Sequence, residues 1–557
     1  MKRWDRLEVA EKVAEFEKGV EKSISQRQLA QKLKIPRTTL QHWLCRKDGI
    51  DASPQVVAFF ESQDGVAFLH RLVLAAQFVM TLLGPCGIRL VCVFLELSGL
   101  DRFVAASYGY QQKVSVSMER AVVEFGQKEE ERLSEGMKPK KVTVCQDETF
   151  HPQICLVAIE PVSDFILLEK YAPSRKAEEW SSSMKEAIGD MPIEVIQSTS
   201  DEGKGILHHV EQDLGVHHSP DLFHVQSELV KATGVTLAAK KRQAEESLAK
   251  ACGELTRHRE EKEAYFNGNR GPGRPPSFDK RIQEAQEKEG EAKKALETAI
   301  AHQEQTKKAV QEISEAYHPY DLETGAPRSA DEMSSLLEKN FSQIEEVASE
   351  ASLADRCLKR IKKAKRVVVD MIATIAFFFL TVTAKIEALS LSPEVEKAVY
   401  NNLIPAIYLR LVSKKAKDAQ QRHKLRKKSE ELLAPLLATE GPFGGLTREE
   451  KLLINQVAQE CAQLFQRSSS CVEGRNGQLA LRHHSLHRIS NRKLAALTTA
   501  HNYFVKRDDR TTAAERFFGS KPRDLFEWLL DKVDIPRRPA LERQQPKRME
   551  FPALAAA

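Results

Sequence analysis

Two aspartates and a glutamate stand at positions that suit metal-dependent chemistry. Asp147 ends Lys141-Val-Thr-Val-Cys-Gln-Asp147, a run that alternates like a strand half-buried in a sheet. Asp201 ends a second such run, Ile193-Glu-Val-Ile-Gln-Ser-Thr-Ser-Asp201, and the string Asp221-Leu-Phe-His224 follows it. Glu473 sits in Ser470-Cys-Val-Glu-Gly-Arg-Asn476, ahead of a basic segment with helical character. An aspartate at a strand end is by itself ordinary turn chemistry. Three carboxylates from separate elements that converge are something else, because together they can hold two divalent ions for phosphodiester chemistry.

The elements that must position these acids are read from periodicity. Strand-like runs at 141–146, 154–160 and 165–169, a helix near 174–188 and a strand at 193–198 predict a small α/β unit. An extended piece at 217–223 precedes a long charged helix. From Gln226 a seam with polar interruptions recurs by threes and fours: Ala244, Leu248, Ala251 and Leu255 in one arm, Ile282, Ala285, Glu289, Ala292, Leu296, Ala299, Gln303, Thr306, Val310 and Ile313 in the other. A Gly/Pro-rich turn separates the arms, so an antiparallel coiled-coil hairpin is expected, packing mainly on itself with its tip near 271–276. Arg274 in that tip lies within Gly-Arg-Pro, which resembles the core of an AT-hook and would make Arg274 a candidate minor-groove contact; a plain Gly/Pro loop is the alternative reading.

The N-terminal segment reads as helix-turn-helix. Ser25 is an N-cap for a helix to Leu33, Lys34-Ile-Pro36 makes the turn, and the helix from Arg37 to Arg46 presents Arg37, Thr38, Thr39, Gln41 and His42 outward. Charge supports a nucleic-acid partner. The net charge of +5 from 84 basic and 79 acidic residues is modest, but six basic residues and no acid lie between Ser25 and Lys47. Five more, again with no acid, lie from Arg475 to Lys493, where Arg475, Arg482 and Arg488 are candidate DNA contacts.

Nine scattered cysteines without a CxxC pair support neither disulfides nor a structural zinc. No signal peptide is visible at the start. The most apolar stretch, 367–384, contains Asp370 and reads as a buried helix rather than a membrane span.

Taken together, these motifs resemble a bacterial insertion-element DDE transposase of the ribonuclease H and retroviral-integrase superfamily. The separation of Asp147 from Asp201, 201 − 147 = 54 positions, is compatible with that fold. Asp221-Leu-Phe-His224 is similar to the C/D-x-x-H signature of Mutator-like and hAT-like transposases. The gap to Glu473, 473 − 201 = 272 positions, resembles the large helical insertions of such enzymes. Arg510-Thr-Thr-Ala-Ala-Glu-Arg-Phe-Phe518 looks like sequence that follows the catalytic glutamate in this group.

The resemblance implies a mixed, mainly α protein with a ribonuclease H-like core at 139–226 and 468–535. An N-terminal helix-turn-helix (1–52), a helical linker (53–138), a coiled-coil hairpin (227–318), a helical insertion (319–467) and a C-terminal tail (536–557) complete it. It implies that Asp147, Asp201 and Glu473 are catalytic ligands of two Mg²⁺ (or Mn²⁺) ions, with Asp221 and His224 bracing the site or positioning DNA. Glu148, Glu202 and Glu515 are competing carboxylates. The expected partners are double-stranded DNA and further copies of the chain, and the expected location is the bacterial cytoplasm, at the nucleoid. Two other readings use the same features: a helix-turn-helix regulator without catalysis, and a domesticated nuclease of the same fold.

Overall fold

The computed structural model describes residues 4–150, 152–268, 274, 276–438, 440–486 and 488–540. The described residues are mainly helical, with one mixed sheet. Five strands, β1 (Lys140–Phe150), β2 (Ile154–Glu160), β3 (Phe165–Ala172), β4 (Ile193–Ser200) and β5 (His217–Pro220), lie in the order β3-β2-β1-β4-β5. β1, β2 and β3 form an antiparallel meander, while β4 and β5 run parallel to β1. Alternation along β2 shows how the two faces are used. Val157 and Ile159 pack with Met118, Val122, Phe125 and Leu497. Leu156 and Ala158 instead meet Trp180, Met184, Ile206 and Val210.

β1 outruns the strand expected from sequence. Its parallel ladder with β4 ends at Gln146↔Ser200, whereas its antiparallel ladder with β2 continues through Asp147↔Val157 to Phe150↔Ile154. Asp147 therefore sits inside β1, at the point where the parallel ladder stops.

Two helices, Leu222–Asn267 and Phe278–Ala316, form the expected hairpin. The seam positions Ala251, Leu255, Ala285, Thr306, Val310 and Ile313 are buried. Two expectations need correction. The first helix begins directly after Asp221, so the boundary placed at 226/227 falls inside a continuous helix. The base of the hairpin also does not pack only on itself: Leu229, Ala232, Ala309 and Ile313 join Leu337, Phe341 and Ile361 in the core of the insertion. The hairpin grows out of that lobe. Most of the tip at 271–276 lies outside the described residues. Arg274 is described and exposed there, but its neighbours Gly273 and Pro275 are not described.

The insertion continues through helices from Ala330 to Leu464. Its Val368–Glu387 helix leans on the sheet edge, where His217 of β5 stacks on Phe377 at 4.7 Å and bonds Thr374 Oγ1 at 3.0 Å. Among the described residues, two stretches, 63–83 and 355–387, are long and apolar enough to cross a membrane by length and composition. Each has a face packed inside the protein, with Leu69, Val73 and Phe78 buried in the first and Met371, Ile375 and Val382 in the second.

At the N-terminus three helices, Arg6–Glu21, Gln26–Lys32 and Arg37–Asp48, enclose Val9, Val13, Phe16, Leu29, Leu40 and Trp43. The first of them was not foreseen. Residues 536–540, read from sequence as the start of a tail, strap this unit to the body. Arg6 and Arg46 donate to the carbonyls of Pro536 (3.1 Å) and Pro539 (2.7 Å), and Ala105 N donates to Arg537 O at 2.8 Å. Buried Glu61 pairs with both Arg6 and Arg538. Residues 541–557 lie outside the described residues.

The outer half of the hairpin has only its own seam to hold it. Leu255→Ala should weaken that half by about 2–3 kcal/mol. Hydrogen exchange followed by mass spectrometry should show faster exchange around 244–265 and 278–300, with β1 and β4 unchanged. Equal acceleration in the sheet would show that the hairpin and body unfold together.

Candidate metal and catalytic site

Three parallel strands point their carboxyl ends the same way, and an aspartate follows or ends the ladder of each. Asp147 stands one residue beyond the last β1–β4 rung, Asp201 directly follows β4, and Asp221 directly follows β5. Ligands of open α/β sheets gather at this edge, because the strands end there and side chains from successive loops converge.

Each aspartate is held differently. Asp147 Oδ1 accepts from Glu148 N at 2.8 Å, and its Oδ2 accepts from Asn476 Nδ2 at 2.9 Å. Asp201 Oδ1 accepts from Gly203 N at 3.0 Å, in a turn so tight that a Cβ at position 203 would lie 2.9 Å from that oxygen. Asp221 caps the Leu222–Asn267 helix by accepting from Phe223 N at 2.8 Å. Its Oδ2 also accepts from Ser469 N at 3.1 Å and from Ser469 Oγ. With most of its lone pairs committed, Asp221 is a brace more than a free ligand.

Glu473 arrives on the helix Ser470–Leu486, in its first turn. That helix is anchored on three sides. Ser469, just before it, is bound to Asp221; Asn476 is bound to Asp147. Between them, buried Arg475 makes a two-pronged ion pair with Glu169 of β3, at 2.6 Å for both contacts. A ring nitrogen of His224 joins both halves of the site. Ligand atoms of Asp147, Asp201 and His224 all lie within 4.8 Å of one another, and so do those of Asp221, His224 and Glu473. The structure thus brings together all five residues singled out at 147, 201, 221, 224 and 473, despite the long gap before the last.

The competing carboxylates belong to neither ligand group. Glu148, the next residue of β1, faces Arg175 at 3.8 Å, as alternation along a strand requires. Glu202 lines the same cleft as Asp201 but belongs to neither ligand group. Glu515 lies in the short helix Ala513–Phe518, whose Phe517 stacks on Phe165 at the far edge of the sheet.

The electrostatics fit a site for cations. Burial first, then the nearby charge of Asp201, pushes the Asp147 carboxyl up to about 6. Burial and Asp221 push Glu473 up as well, with His224 opposing. The donor set consists of carboxylate oxygens and one imidazole. Hard divalent cations suit the oxygens, and a ligating His224 would extend the fit toward transition metals.

Among the expected DNA contacts, Arg37, Thr38, Gln41, His42, Arg274 and Arg488 are exposed, and Thr39 is half-buried. Two others are corrected. Arg475 is buried and committed to Glu169, so it braces the site from inside. Arg482 donates to the carbonyls of Leu82 (2.6 Å), Leu83 (3.0 Å) and Gly84 (2.9 Å), which ties the helix to the linker helices. In both cases the partner is distant in sequence, so a basic run looked like a solvent face. Sequence reasoning missed Asn476, although its place one helical turn after Glu473 put it on the same face.

The raised Asp147 carboxyl gives a pH-dependent prediction. Its folded value of about 6 exceeds the ordinary 3.8, so folding penalises the charged form. That penalty is absent below 3.8 and complete above about 6. Asp147→Asn should therefore stabilise the metal-free protein by about 1–2 kcal/mol at neutral pH, after allowing for one hydrogen bond lost, and should give no gain in acid. Thermal unfolding in EDTA across pH measures this; an equal effect at both ends would refute it.

The model of a family described as of unknown function, DUF6399, matches residues 399–545. That span starts within the insertion and includes Ser469, Glu473, Arg475 and Asn476, but not Asp147, Asp201 or His224. No curated protein matches the chain. Over 399–545 the chain is similar to that family.

Proposed function

We propose that the protein is a DDE-type transposase that cleaves and joins DNA strands with two divalent ions, Mg²⁺ or Mn²⁺. The observation that carries this reading is the meeting of Asp147, Asp201, His224 and Glu473 at the carboxyl ends of parallel strands. The strand order β3-β2-β1-β4-β5, with the first three antiparallel, is the order of a ribonuclease H-like core. The exposed Arg37, Thr38, Gln41 and His42 on the third N-terminal helix support a helix-turn-helix that reads DNA.

In this reading Asp147 and Asp201 would hold divalent ions on one side of His224, and Glu473 on the other. Bound divalent ions supply a nucleophile at neutral pH and neutralise the leaving oxygen of the phosphodiester. The chain's own part is placement. Asn476 and Glu148 N hold both Asp147 oxygens so that the carboxylate cannot rotate, and Gly203 N orients Asp201. His224, whose ring faces both carboxylate groups, would brace the site or position DNA near the scissile phosphate. Asp221 keeps Glu473 in register through Ser469. The DNA partner would be bound at the ends of a mobile element by two or more copies of the chain.

A supercoiled plasmid carrying the genomic sequence on either side of the gene tests this. With Mg²⁺ or Mn²⁺ the protein should nick or cleave it, and Asp147→Asn, Asp201→Asn or Glu473→Gln should each abolish cleavage while DNA binding persists. His224→Ala should slow cleavage by about 10–100-fold, as loss of a supporting group does, and Glu515→Gln should leave it intact. Cleavage by Asp201→Asn at the wild-type rate would end the proposal.

A further inference from the structure

Beside the acidic site lies a helix that the functional reading does not use. A cleft of about 270 Å³ is lined on one side by Asp201, Asp221, His224 and Glu228 and on the other by Lys363 and Val367. Lys363 belongs to the insertion helix Asp355–Arg366, which carries seven basic residues and one acid among its twelve. Cys357, Ile361 and Ala364 bury one face of this helix in the insertion core. On the outer side Arg356, Lys359, Lys363 and Arg366, spaced by three and four, form an exposed stripe along about 15 Å of helix.

Solvated basic helices usually pair their charges, and part of this one does. Lys365 Nζ lies 2.6 Å from Glu345, and Arg360 approaches Glu228 at 3.8 Å. The four stripe residues make no ion pair among the described residues. Like charges at these spacings repel and weaken the helix. A polyanion with regularly spaced charges would relieve that repulsion, and one end of the stripe opens onto the carboxylates proposed to act on a phosphodiester.

We infer that this stripe is the track for the DNA backbone flanking the scissile phosphate, with Lys359, Lys363 and Arg366 contacting successive phosphates. The inference rests on the proposed function and adds the path of the substrate across the insertion. The contacts go to phosphate, so they set position and affinity without reading sequence.

The test is binding of a fluorescent DNA duplex of random sequence in EDTA at several salt concentrations. The variant Lys359→Gln/Lys363→Gln/Arg366→Gln should bind at least about tenfold more weakly at low salt. Its slope of log affinity against log salt should be shallower by about 2–3, close to one counterion per lost contact. A second variant, Lys424→Gln/Arg426→Gln/Lys427→Gln, removes the same charge from exposed positions on another insertion helix and should keep the wild-type slope. An unchanged slope in the first variant, an equal fall in both, or no duplex binding by the wild type would overturn the inference. Mg²⁺-dependent cleavage at saturating protein is scored separately. If the wild type never cleaves but the slopes differ as expected, the track stands and the catalytic reading fails.

Discussion

The structure depends on a clasp at the mouth of the insertion. Asp221 opens the long excursion and Ser469 closes it, 248 positions later, and the Asp221 carboxylate binds both the amide and the hydroxyl of Ser469. The neighbouring backbone bond from Leu222 N to Arg467 O, at 3.0 Å, doubles it. Arg467 also grips Ser314 O at 2.6 Å, near the end of the hairpin's returning helix. The entropy of closing a loop grows only slowly with its length, so a buried, multiply bonded clasp can hold a very large insertion. The consequence is geometric. Once Ser469 is pinned to the end of β5, the helix that follows must start at the sheet edge, and Glu473 falls beside Asp221 and His224, the histidine that also meets Asp147 and Asp201.

Like charges brought this close oppose folding, and the structure shows how that is met. Burial holds both Asp147 and Glu473 above their ordinary carboxyl values, with Asp201 adding to the rise at Asp147 and Asp221 to that at Glu473. Fixed donors from Asn476, Glu148 N and Gly203 N partly compensate. A buried Arg475–Glu169 pair carries the opposing helix, and removing one partner of such a pair typically costs about 3–5 kcal/mol. A site whose acids are strained without a cation gains the most from binding one, so metal binding and local stability are linked.

How much of this could be read from the sequence follows from the range of the forces involved. Alternation exposed the strands and periodicity exposed the hairpin seam, because both are local patterns written every two to four residues. Asp147, Asp201 and His224 could be singled out because the end of an alternating run and a short string mark them. The roles of Arg475 and Arg482 were misread because their partners, Glu169 and the carbonyls of 82–84, lie hundreds of positions away. The Asp221–Ser469 clasp was invisible for the same reason. The strap at 536–540 looked like a tail because it has no periodicity of its own, and its order comes from arginines on other elements. The length of β1 was underestimated because the antiparallel partner extends the strand past the point where the parallel one stops.

On the proposed reading, folding assembles one divalent-cation site from carboxylates spread over most of the chain. Mn²⁺ binding to the DNA-free protein, followed by electron paramagnetic resonance, tests it most directly. Saturable binding is expected for the wild type, with that binding lost in Asp147→Asn and Asp201→Asn and kept in Glu515→Gln. Absence of saturable binding, or equal binding by Asp201→Asn and the wild type, would contradict it.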